Sequence, residues 1–255
     1  MKYFFFDIDG TLTNIHIGQI VESGIETLRQ LEANGHFVAI ATGRAYYKTK
    51  GFAEQAGIHN LVANGGAAFV INDQLVRNSP LDREKALTII HEADELGCGI
   101  LVAVNDSIDV VMRDRRFLEQ CGERREPTNY ICRPGIEWED LPDIYKIYIA
   151  MPEDEEYRMK NKDLLGHIRM NTPYFWYQHD EKDQGIRDMI EYLHGDLKDV
   201  VVFGDGENDM VMFRKEWTSI AMGNGYPPLL AMADYVTDAA EDDGIRNACL
   251  HYGWI

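Results

Sequence analysis

The apolar residues of this chain form short unbroken runs, separated by stretches in which they recur at helical spacing. Tyr3–Phe6 consists of four aromatic residues, and Phe37–Ala41, Leu61–Ala63 and Val200–Phe203 are further runs without polar alternation. Runs of this length are typical of strands that are buried on both faces, as in a parallel sheet. The pattern therefore predicts at least four strands in the interior of an α/β domain.

Helical periodicity fills the intervals between these runs. The first helix is predicted by one apolar face and is expected to end near Gly35. Its apolar positions are Ile20, Val21, Ile25, Leu28 and Leu31. Further helices are predicted up to about Ala56 and from about Gln184 to Leu193, and short strands near Ser219–Met222 and Tyr235–Val236. Alternating strands and helices indicate a parallel sheet covered by helices.

The middle of the chain has a different pattern. A hairpin over Ala67–Val76 is expected to lead out of the parallel sheet. From about Ser79 the predicted elements are helices at Arg83–Leu96 and Glu153–Leu165, with strands at Ile100–Val104, Ile108–Met112, Tyr145–Ala150 and Tyr174–Tyr177. Mixed elements of this kind favour a separate α+β insert. We therefore expect residues 1–78 and 180–255 to form the core and residues 79–179 to form the inserted domain.

Composition narrows the possible functions. The chain has 255 residues, of which 45% are hydrophobic and 27% charged, and its net charge is -18. So acidic a protein is not expected to bind nucleic acid or an anionic membrane. The opening apolar run is far shorter than the roughly 18 residues of a membrane span, so a cytoplasmic protein is expected. Four scattered cysteines without a Cys-x-x-Cys pair are expected to be reduced thiols.

Polar residues suited to one reaction follow three of the predicted strands. Asp7 and Asp9 follow the first, Thr42 follows the second, and Asp205 with Asp209 follows the Val200–Phe203 run. In an open α/β sheet these strand ends lie at one edge, where such sheets bind ligands. Acids at close range repel each other and favour a shared cation or proton, and oxygen ligands without histidine or cysteine favour Mg²⁺. A threonine and helix-start amides can hold phosphate oxygens.

On these residues the sequence resembles the haloacid dehalogenase superfamily. Phe6–Leu12, with its Asp-Ile-Asp-Gly-Thr, resembles the first motif of that superfamily, Thr42–Arg44 resembles the second, and Gly204–Asp209 resembles the fourth. With an insert between the second and third motifs, the chain is similar to Cof-type phosphatases with a C2 cap. The resemblance implies a Rossmann-like catalytic core, a cap that selects the substrate, and hydrolysis of a small phosphorylated metabolite.

The resemblance also implies roles for individual residues. Asp7 would be the nucleophile that forms an aspartyl-phosphate, and Asp9 would protonate the leaving oxygen and later activate water. The residues implied to bind the substrate phosphate are Thr42, Gly43, Lys182 and Asn208. Lys182 is assigned to the third motif because it opens the returning helix, although the Lys-Gly pair usual in the family is absent.

Mg²⁺ is the cofactor that the resemblance implies. Its ligands would be the carboxylates of Asp7 and Asp205 and the backbone carbonyl of Asp9, with Asp209 supporting the site. The chemistry agrees, because an aspartate is ionised at neutral pH and needs no base to act as a nucleophile. Its attack on a phosphate dianion is opposed by charge, which a metal ion and a lysine can offset.

Several alternatives stay open at this level. A phosphotransferase or phosphomutase would pass the phosphoryl group to a sugar hydroxyl, and a phospho-accepting signalling domain would keep it on the aspartate. Arg44 could contact substrate or lie on the surface, and Asn64–Gly66 could line the site or only turn the chain. The basic stretch from Arg113 to Arg125 could be a solvated surface or contact an anionic substrate.

Overall fold

The Tyr3–Phe6 run lies near the middle of an eight-stranded sheet in a computed structural model that describes residues 1–255. The strands, in chain order, are β1 (Tyr3–Phe6), β2 (Phe37–Ala41), β3 (Leu61–Ala63), β4 (Ala68–Ile71), β5 (Gln74–Asn78), β6 (Ile100–Ala103), β7 (Asp109–Met112), β8 (Asn129–Cys132), β9 (Lys146–Ala150), β10 (His167–Ile168), β11 (Tyr174–Tyr177), β12 (Val200–Gly204), β13 (Thr218–Ala221) and β14 (Tyr235–Val236). The α-helices are α1 (Glu22–Ala33), α2 (Tyr46–Ala56), α3 (Arg83–Glu95), α4 (Arg116–Cys121), α5 (Lys182–Tyr192), α6 (Pro227–Met232) and α7 (Gly244–Tyr252). The chain divides into two units, one of Met1–Asn78 with Asp180–Ile255 and one of Ser79–His179, called unit 1 and unit 2 below.

The sheet of unit 1 has the strand order β14-β13-β12-β1-β2-β3-β4-β5, and the first six of these strands are parallel. Phe6, the last residue of β1, is level with Ile40 in β2 and Phe203 in β12. The loops that follow these three strands therefore begin at the same edge of the sheet. The predicted Rossmann-like α/β fold is confirmed.

Alternation along β1 explains why its aromatic run is needed. Phe4 and Phe6 pack on the face that also holds Leu28 of α1 and Ile245 of α7. Phe5 packs on the opposite face, where Ile186 of α5 contributes to the core. Successive side chains of a strand point to opposite faces, so a strand between two helical layers must be apolar at every position.

The hairpin of β4 and β5 does not leave the sheet, and the prediction that it would is wrong. Ala63 of β3 is level with Ala68 of β4, and the two antiparallel strands extend the sheet at one edge. The Asn64–Gly66 turn explains this pairing, because Asn64, Gly65 and Gly66 all have positive φ. The turn reverses the chain at once and keeps the next strand within hydrogen-bonding distance of β3.

Unit 2 contains a six-stranded sheet of order β10-β11-β9-β6-β7-β8, antiparallel except for the β7–β8 pair. The helix expected over Glu153–Leu165 is absent and two short 3-10 turns stand in its place, Glu153–Arg158 and Lys162–Leu164. No apolar face drives a helix there; instead Glu156 accepts hydrogen bonds from Lys162 at 2.9 Å and from Arg169. Side-chain ion pairs therefore fix a segment that the sequence pattern suggested would be helical.

The basic stretch of unit 2 is largely occupied within that unit. Arg113 and Arg116 both donate to Asp94, at 2.6 and 2.5 Å. The guanidinium of Arg124 lies 4.0 Å from the centre of the Tyr148 ring, and its side chain is 7% exposed. Of the two alternatives left open for the stretch from Arg113 to Arg125, a surface of uniformly solvated arginines is therefore excluded.

The longest α-helix of the chain, α3, has 13 residues. None of the helices combines the length and the apolar character that a membrane span requires.

Candidate active site

Lys182 connects two of the predicted acids in the interior of unit 1. Its Nζ donates to Oδ1 of Asp7 at 2.8 Å and to Oδ1 of Asp209 at 2.6 Å. All three side chains are at most 5% exposed. Hydrogen bonds between charged groups in such a setting are among the strongest in proteins. The lysine at the start of α5 is thus in contact with the acid that directly follows β1.

Asp205 completes the acidic cluster from the end of β12. Asp7, Asp205 and Asp209 each present a carboxylate oxygen within 4.8 Å of the others. The hydroxyl of Thr11 donates to Oδ1 of Asp205 at 3.0 Å. Gly10 permits this approach, because a Cβ atom at that position would lie 2.1 Å from Oδ2 of Asp205 and its φ is +85°. The glycine after the two acids therefore serves both the turn and the close contact.

Asp209 has a structural task that limits its availability. Its Oδ2 accepts the backbone N–H groups of Asp205 at 3.0 Å and Gly206 at 2.9 Å, while its Oδ1 is held by Lys182. Both oxygens are engaged. Asp209 therefore stabilises the loop that carries Asp205 and orients the lysine.

The charges in this cluster do not balance. When all three carboxylates are ionised, they and the one ammonium group leave an excess of two negative charges, and this excess favours protonation of the acids. Burial raises the pKa of Asp7 to about 8, the charge of Asp209 adds to this, and Lys182 opposes it. Burial, followed by the charge of Asp209, raises the pKa of Asp205 to about 7. Burial alone would lower the pKa of Lys182, but Asp209 and Asp7 raise it above its ordinary value, so the lysine stays protonated.

This donor set suits a hard divalent cation. Its members are carboxylate oxygens, and Oδ2 of Asp205 has only a distant neighbour, Nδ2 of Asn224 at 3.5 Å. Mg²⁺ prefers oxygen ligands and is usually held by one or two carboxylates. A divalent ion would also offset the two excess negative charges of the fully ionised cluster. The residues present therefore fit a divalent metal ion.

The Asn64–Gly66 turn positions Lys182. The carbonyl of Gly65 accepts the backbone N–H of Glu181 at 2.8 Å. A Cβ atom at Gly66 would lie 2.2 Å from the carbonyl oxygen of Glu181, and one at Gly185 would lie 2.6 Å from Cα of Gly66. Two glycines thus allow the first turn of α5 to touch the turn after β3. The alternative that Asn64–Gly66 only turns the chain is therefore excluded, because this turn also holds the start of α5.

The same turn holds the loop that contains Thr42. The backbone N–H of Gly65 donates to the carbonyl of Thr42 at 3.1 Å, and that of Asn64 donates to the carbonyl of Arg44 at 2.8 Å. Thr42 is buried at the end of β2, and Gly43 is partly exposed. Neither residue touches the acidic cluster through a hydrogen bond, so their predicted contact with phosphate stays a prediction.

Asp9 and Asn208 are placed differently from the buried cluster. The backbone N–H of Asp9 donates to Oδ2 of Asp7 at 3.0 Å, but its carboxylate is 61% exposed and pairs with Arg44. Nε of Arg44 donates to Oδ2 of Asp9 at 2.9 Å, and a second N–H donates to Oδ1. Asn208 is exposed beside Gly206. Its predicted role also stays a prediction.

Asn224 belongs to this site and was not predicted from the sequence. Its Nδ2 donates to the carbonyl of Gly10 at 2.9 Å, and its Oδ1 accepts the N–H of Ala240 at 3.1 Å. The next loop residues also bind the cluster, since the N–H of Tyr226 donates to the carbonyl of Asp205 at 2.7 Å. The sequence held a signal, because a glycine-flanked asparagine follows the predicted strand at Ser219–Met222.

Comparison with known proteins gives the class to which this fold and site belong. Residues 4–249 match the family of haloacid dehalogenase-like hydrolases. The chain belongs to this family, and the expected hydrolase with that fold is confirmed. The Bacillus subtilis (strain 168) protein "Putative phosphatase YkrA" is 31% identical over 256 residues, covering 99% of this chain and 98% of that protein. The expected enzyme class, a phosphoric monoester hydrolase, agrees with that name.

Two solved structures share the whole architecture. A hypothetical protein from Geobacillus kaustophilus HTA426 is 29% identical with a TM-score of 0.82, covering 100% of this chain and 99% of that one. The sugar phosphatase BT4131, described as a member of haloacid dehalogenase subclass IIB, is 25% identical with a TM-score of 0.77 and full coverage of both chains. Both units of the present chain therefore have counterparts in these two structures.

Proposed function

We propose that this protein is a Mg²⁺-dependent phosphatase that hydrolyses a small phosphorylated metabolite through an aspartyl-phosphate on Asp7. The observation that carries the proposal is the contact of Lys182 with both Asp7 and Asp209 beside Asp205. A buried lysine and an excess of negative charge meet at the strand edge where this fold class binds ligands. Membership of the haloacid dehalogenase-like hydrolases supports the same reaction.

In the first step, a carboxylate oxygen of Asp7 forms a bond to phosphorus while the bond to the ester oxygen breaks. Asp9 gives a proton to that leaving oxygen, so the product departs as an alcohol. In the second step, water attacks phosphorus, its proton passes to Asp9, and the bond to Asp7 breaks to release inorganic phosphate. Lys182 holds Asp7 in place, and Thr42, Gly43 and Asn208 complete the proposed phosphate site.

The metal ion would be held by the carboxylates of Asp7 and Asp205 and the carbonyl of Asp9. When bound, Mg²⁺ supplies positive charge that stabilises the transferring phosphoryl group. Asp209 keeps the Asp205 loop in place through two backbone N–H groups. Thr11 holds the Asp205 carboxylate through a hydrogen bond to its Oδ1.

Unit 2 has the proposed role of a cap that selects the substrate. Residues 79–179 have their own hydrophobic core and contain none of the acids of the site. Substitutions in unit 2 that preserve folding should therefore change the ranking of natural substrates more than the hydrolysis of p-nitrophenyl phosphate. If such substitutions never alter that ranking, the selecting role is refuted.

The test is a phosphate-release screen with Mg²⁺ over sugar phosphates, a flavin nucleotide and pyridoxal phosphate, with Asp7→Asn as the control. Sugar phosphates come first because the similar structure of BT4131 is that of a sugar phosphatase. Release of inorganic phosphate by the wild type, and not by Asp7→Asn, supports the proposal. Transfer to a sugar hydroxyl without release would make the protein a phosphotransferase or phosphomutase. A long-lived phosphoprotein without turnover would make it a phospho-accepting signalling domain.

A further inference from the structure

Arg44 and Asp9 form a two-point ion pair next to the buried acids. Nε of Arg44 donates to one oxygen of the Asp9 carboxylate at 2.9 Å, and a terminal N–H of the same guanidinium donates to the other. Every hydrogen bond that reaches this carboxylate comes from Arg44. The direction of the Asp9 side chain is therefore set by one residue.

Arg44 is itself held firmly. Its backbone N–H donates to Oγ1 of Thr42 at 3.2 Å, and its carbonyl accepts the N–H of Asn64 at 2.8 Å. Its guanidinium lies 5.8 Å from the centre of the Phe52 ring. Because the backbone around Arg44 is fixed on both sides, its side chain can serve as an anchor for a more exposed partner.

We propose that Arg44 is a positioning residue that fixes the rotation of the Asp9 carboxyl group for proton transfer at the leaving oxygen: one oxygen stays bonded to the guanidinium while the other carries the proton. This inference rests on the proposed phosphatase function. The planar fork of a guanidinium matches the two oxygens of a carboxylate and fixes its rotation, which a single ammonium group cannot do. A misplacement of about 1 Å in such a group can lower a rate by about 10²-fold.

The ion pair between Arg44 and Asp9 is expected to contribute little to the stability of the fold. The Arg44 and Asp9 side chains are 33% and 61% exposed, and exposed ion pairs contribute about 0 to 1 kcal/mol. Removal of Arg44 should therefore leave the protein folded. A change in its kinetics would then report on the reaction rather than on unfolding.

Two phosphate esters separate positioning of Asp9 from other roles. The alkoxide of an alkyl ester such as glycerol 2-phosphate needs a proton as it leaves, whereas p-nitrophenolate does not. The quantity to measure is kcat/KM, which covers the transfer to Asp7 and excludes later hydrolysis of the intermediate. For Arg44→Gln we expect a fall of about 10²-fold for the alkyl ester and at most about 3-fold for the p-nitrophenyl ester.

Three further variants make the experiment decisive. Arg44→Lys should recover only part of the loss, because it restores charge without the fork. Arg187→Gln is the matched control, since Arg187 also pairs with an exposed acid, Glu216 at 3.0 Å, and lies 4.9 Å from an aromatic ring. That variant should leave the ratio of the two esters unchanged. Arg44→Gln should add no further loss to Asp9→Asn, because both changes remove the same proton transfer.

Other results would overturn the inference. An equal fall for both esters with a raised KM would mean that Arg44 binds the phosphate group. An unchanged ratio in Arg44→Gln, or additive losses with Asp9→Asn, would mean that the ion pair does not serve proton transfer. Failure of the proposed function is distinguishable, because it would appear as the absence of phosphate release from the wild type compared with Asp7→Asn.

Discussion

The ammonium group of Lys182 lies 2.8 Å from Oδ1 of Asp7, although 175 positions separate the two residues in the chain. The same nitrogen reaches Asp209, so a single cation joins the loops that follow β1 and β12 to the start of α5. This contact brings the predicted first, third and fourth motifs into one buried cluster.

Replacement of Lys182 by methionine should lower kcat by about 10²- to 10³-fold, as the loss of one charge-stabilising donor does in other enzymes. In the absence of metal it should also lower the free energy of unfolding by about 3 to 5 kcal/mol, because two buried carboxylates lose their partner. Phosphate release and urea unfolding measure the two effects. Lys198→Met, which removes an exposed lysine, is the control. Near-wild-type turnover of Lys182→Met would contradict the assignment.

Replacement of Asp7 by asparagine should abolish phosphate release without unfolding the protein. The amide has nearly the shape of the carboxylate but is a far poorer nucleophile and metal ligand. Above about pH 8, where Asp7 is ionised, the change also removes one negative charge from an acidic cluster, so the thermal midpoint there should be unchanged or higher. Circular dichroism and a phosphate assay on the same sample check both expectations. Appreciable turnover by the pure variant would show that Asp7 is not the nucleophile.

The strands that carry the site could be predicted because their signals are local. The apolar runs of β1, β2 and β12 are each followed directly by polar residues, and parallel strands place such ends at one edge. The helix predicted over Glu153–Leu165 was wrong, because that segment depends on side-chain ion pairs and not on an apolar face. The 3-10 turns at Glu153–Arg158 are fixed by ion pairs of Glu156, which no apolar periodicity reveals.

The supporting contacts of the site are equally invisible to a local pattern. The pairing of Arg44 with Asp9 requires knowledge of where two loops meet. The contact of Gly66 with Glu181 depends on two segments more than 100 residues apart, and its sequence trace is only a pair of glycines. Turn geometry and close backbone contacts are therefore the features of this site that a local sequence pattern does not predict.

Metal removal should abolish turnover, and added Mg²⁺ should restore it. Because the cluster has an excess of negative charge, Mg²⁺ should also raise the thermal midpoint of the wild type, as any ligand that binds only the folded state does. Asp205→Ala should lose both activity and this stabilisation. Glu191→Ala, which removes an exposed acid from α5, should behave like the wild type. Full activity after exhaustive chelation would rule out the metal site.

An alanine at Gly66 should disturb Lys182 from a distance. A Cβ atom there would lie 2.2 Å from the carbonyl of Glu181, and φ is +105°. Gly57→Ala is a matched control, because Gly57 also has a positive φ of +72° but open space around it. The control measures backbone strain alone, which is about 1 to 2 kcal/mol. Gly66→Ala should lose clearly more stability and most of its activity. Equal behaviour of the two variants would mean that the contact with Glu181 does not position the lysine.

The Asp94 ion pairs should make unit 2 sensitive to acid. Asp94 accepts hydrogen bonds from Arg113, Arg116 and Trp138. Burial raises its pKa, but the hydrogen bonds from Arg116 and Trp138 and the two arginine charges lower it overall. A carboxylate whose pKa is lower when folded stabilises the protein above its unfolded pKa of about 3.9, and this contribution disappears as the pH falls through the folded pKa.

Asp94→Asn should therefore lower the free energy of unfolding at pH 7 by about 1.5 to 3 kcal/mol, the range for hydrogen bonds to a charged group, since the side chain is 18% exposed. The difference in the free energy of unfolding between the wild type and Asp94→Asn should become smaller as the pH falls below about 4. Urea unfolding followed by tryptophan fluorescence measures it, because Trp138 donates to Asp94 at 3.1 Å. Asp140→Asn, which changes an exposed acid of the same unit, should have the same free energy of unfolding as the wild type both at pH 7 and below about pH 4. A gap for Asp94→Asn that stays constant with pH would show that the charge of Asp94 is not what stabilises unit 2.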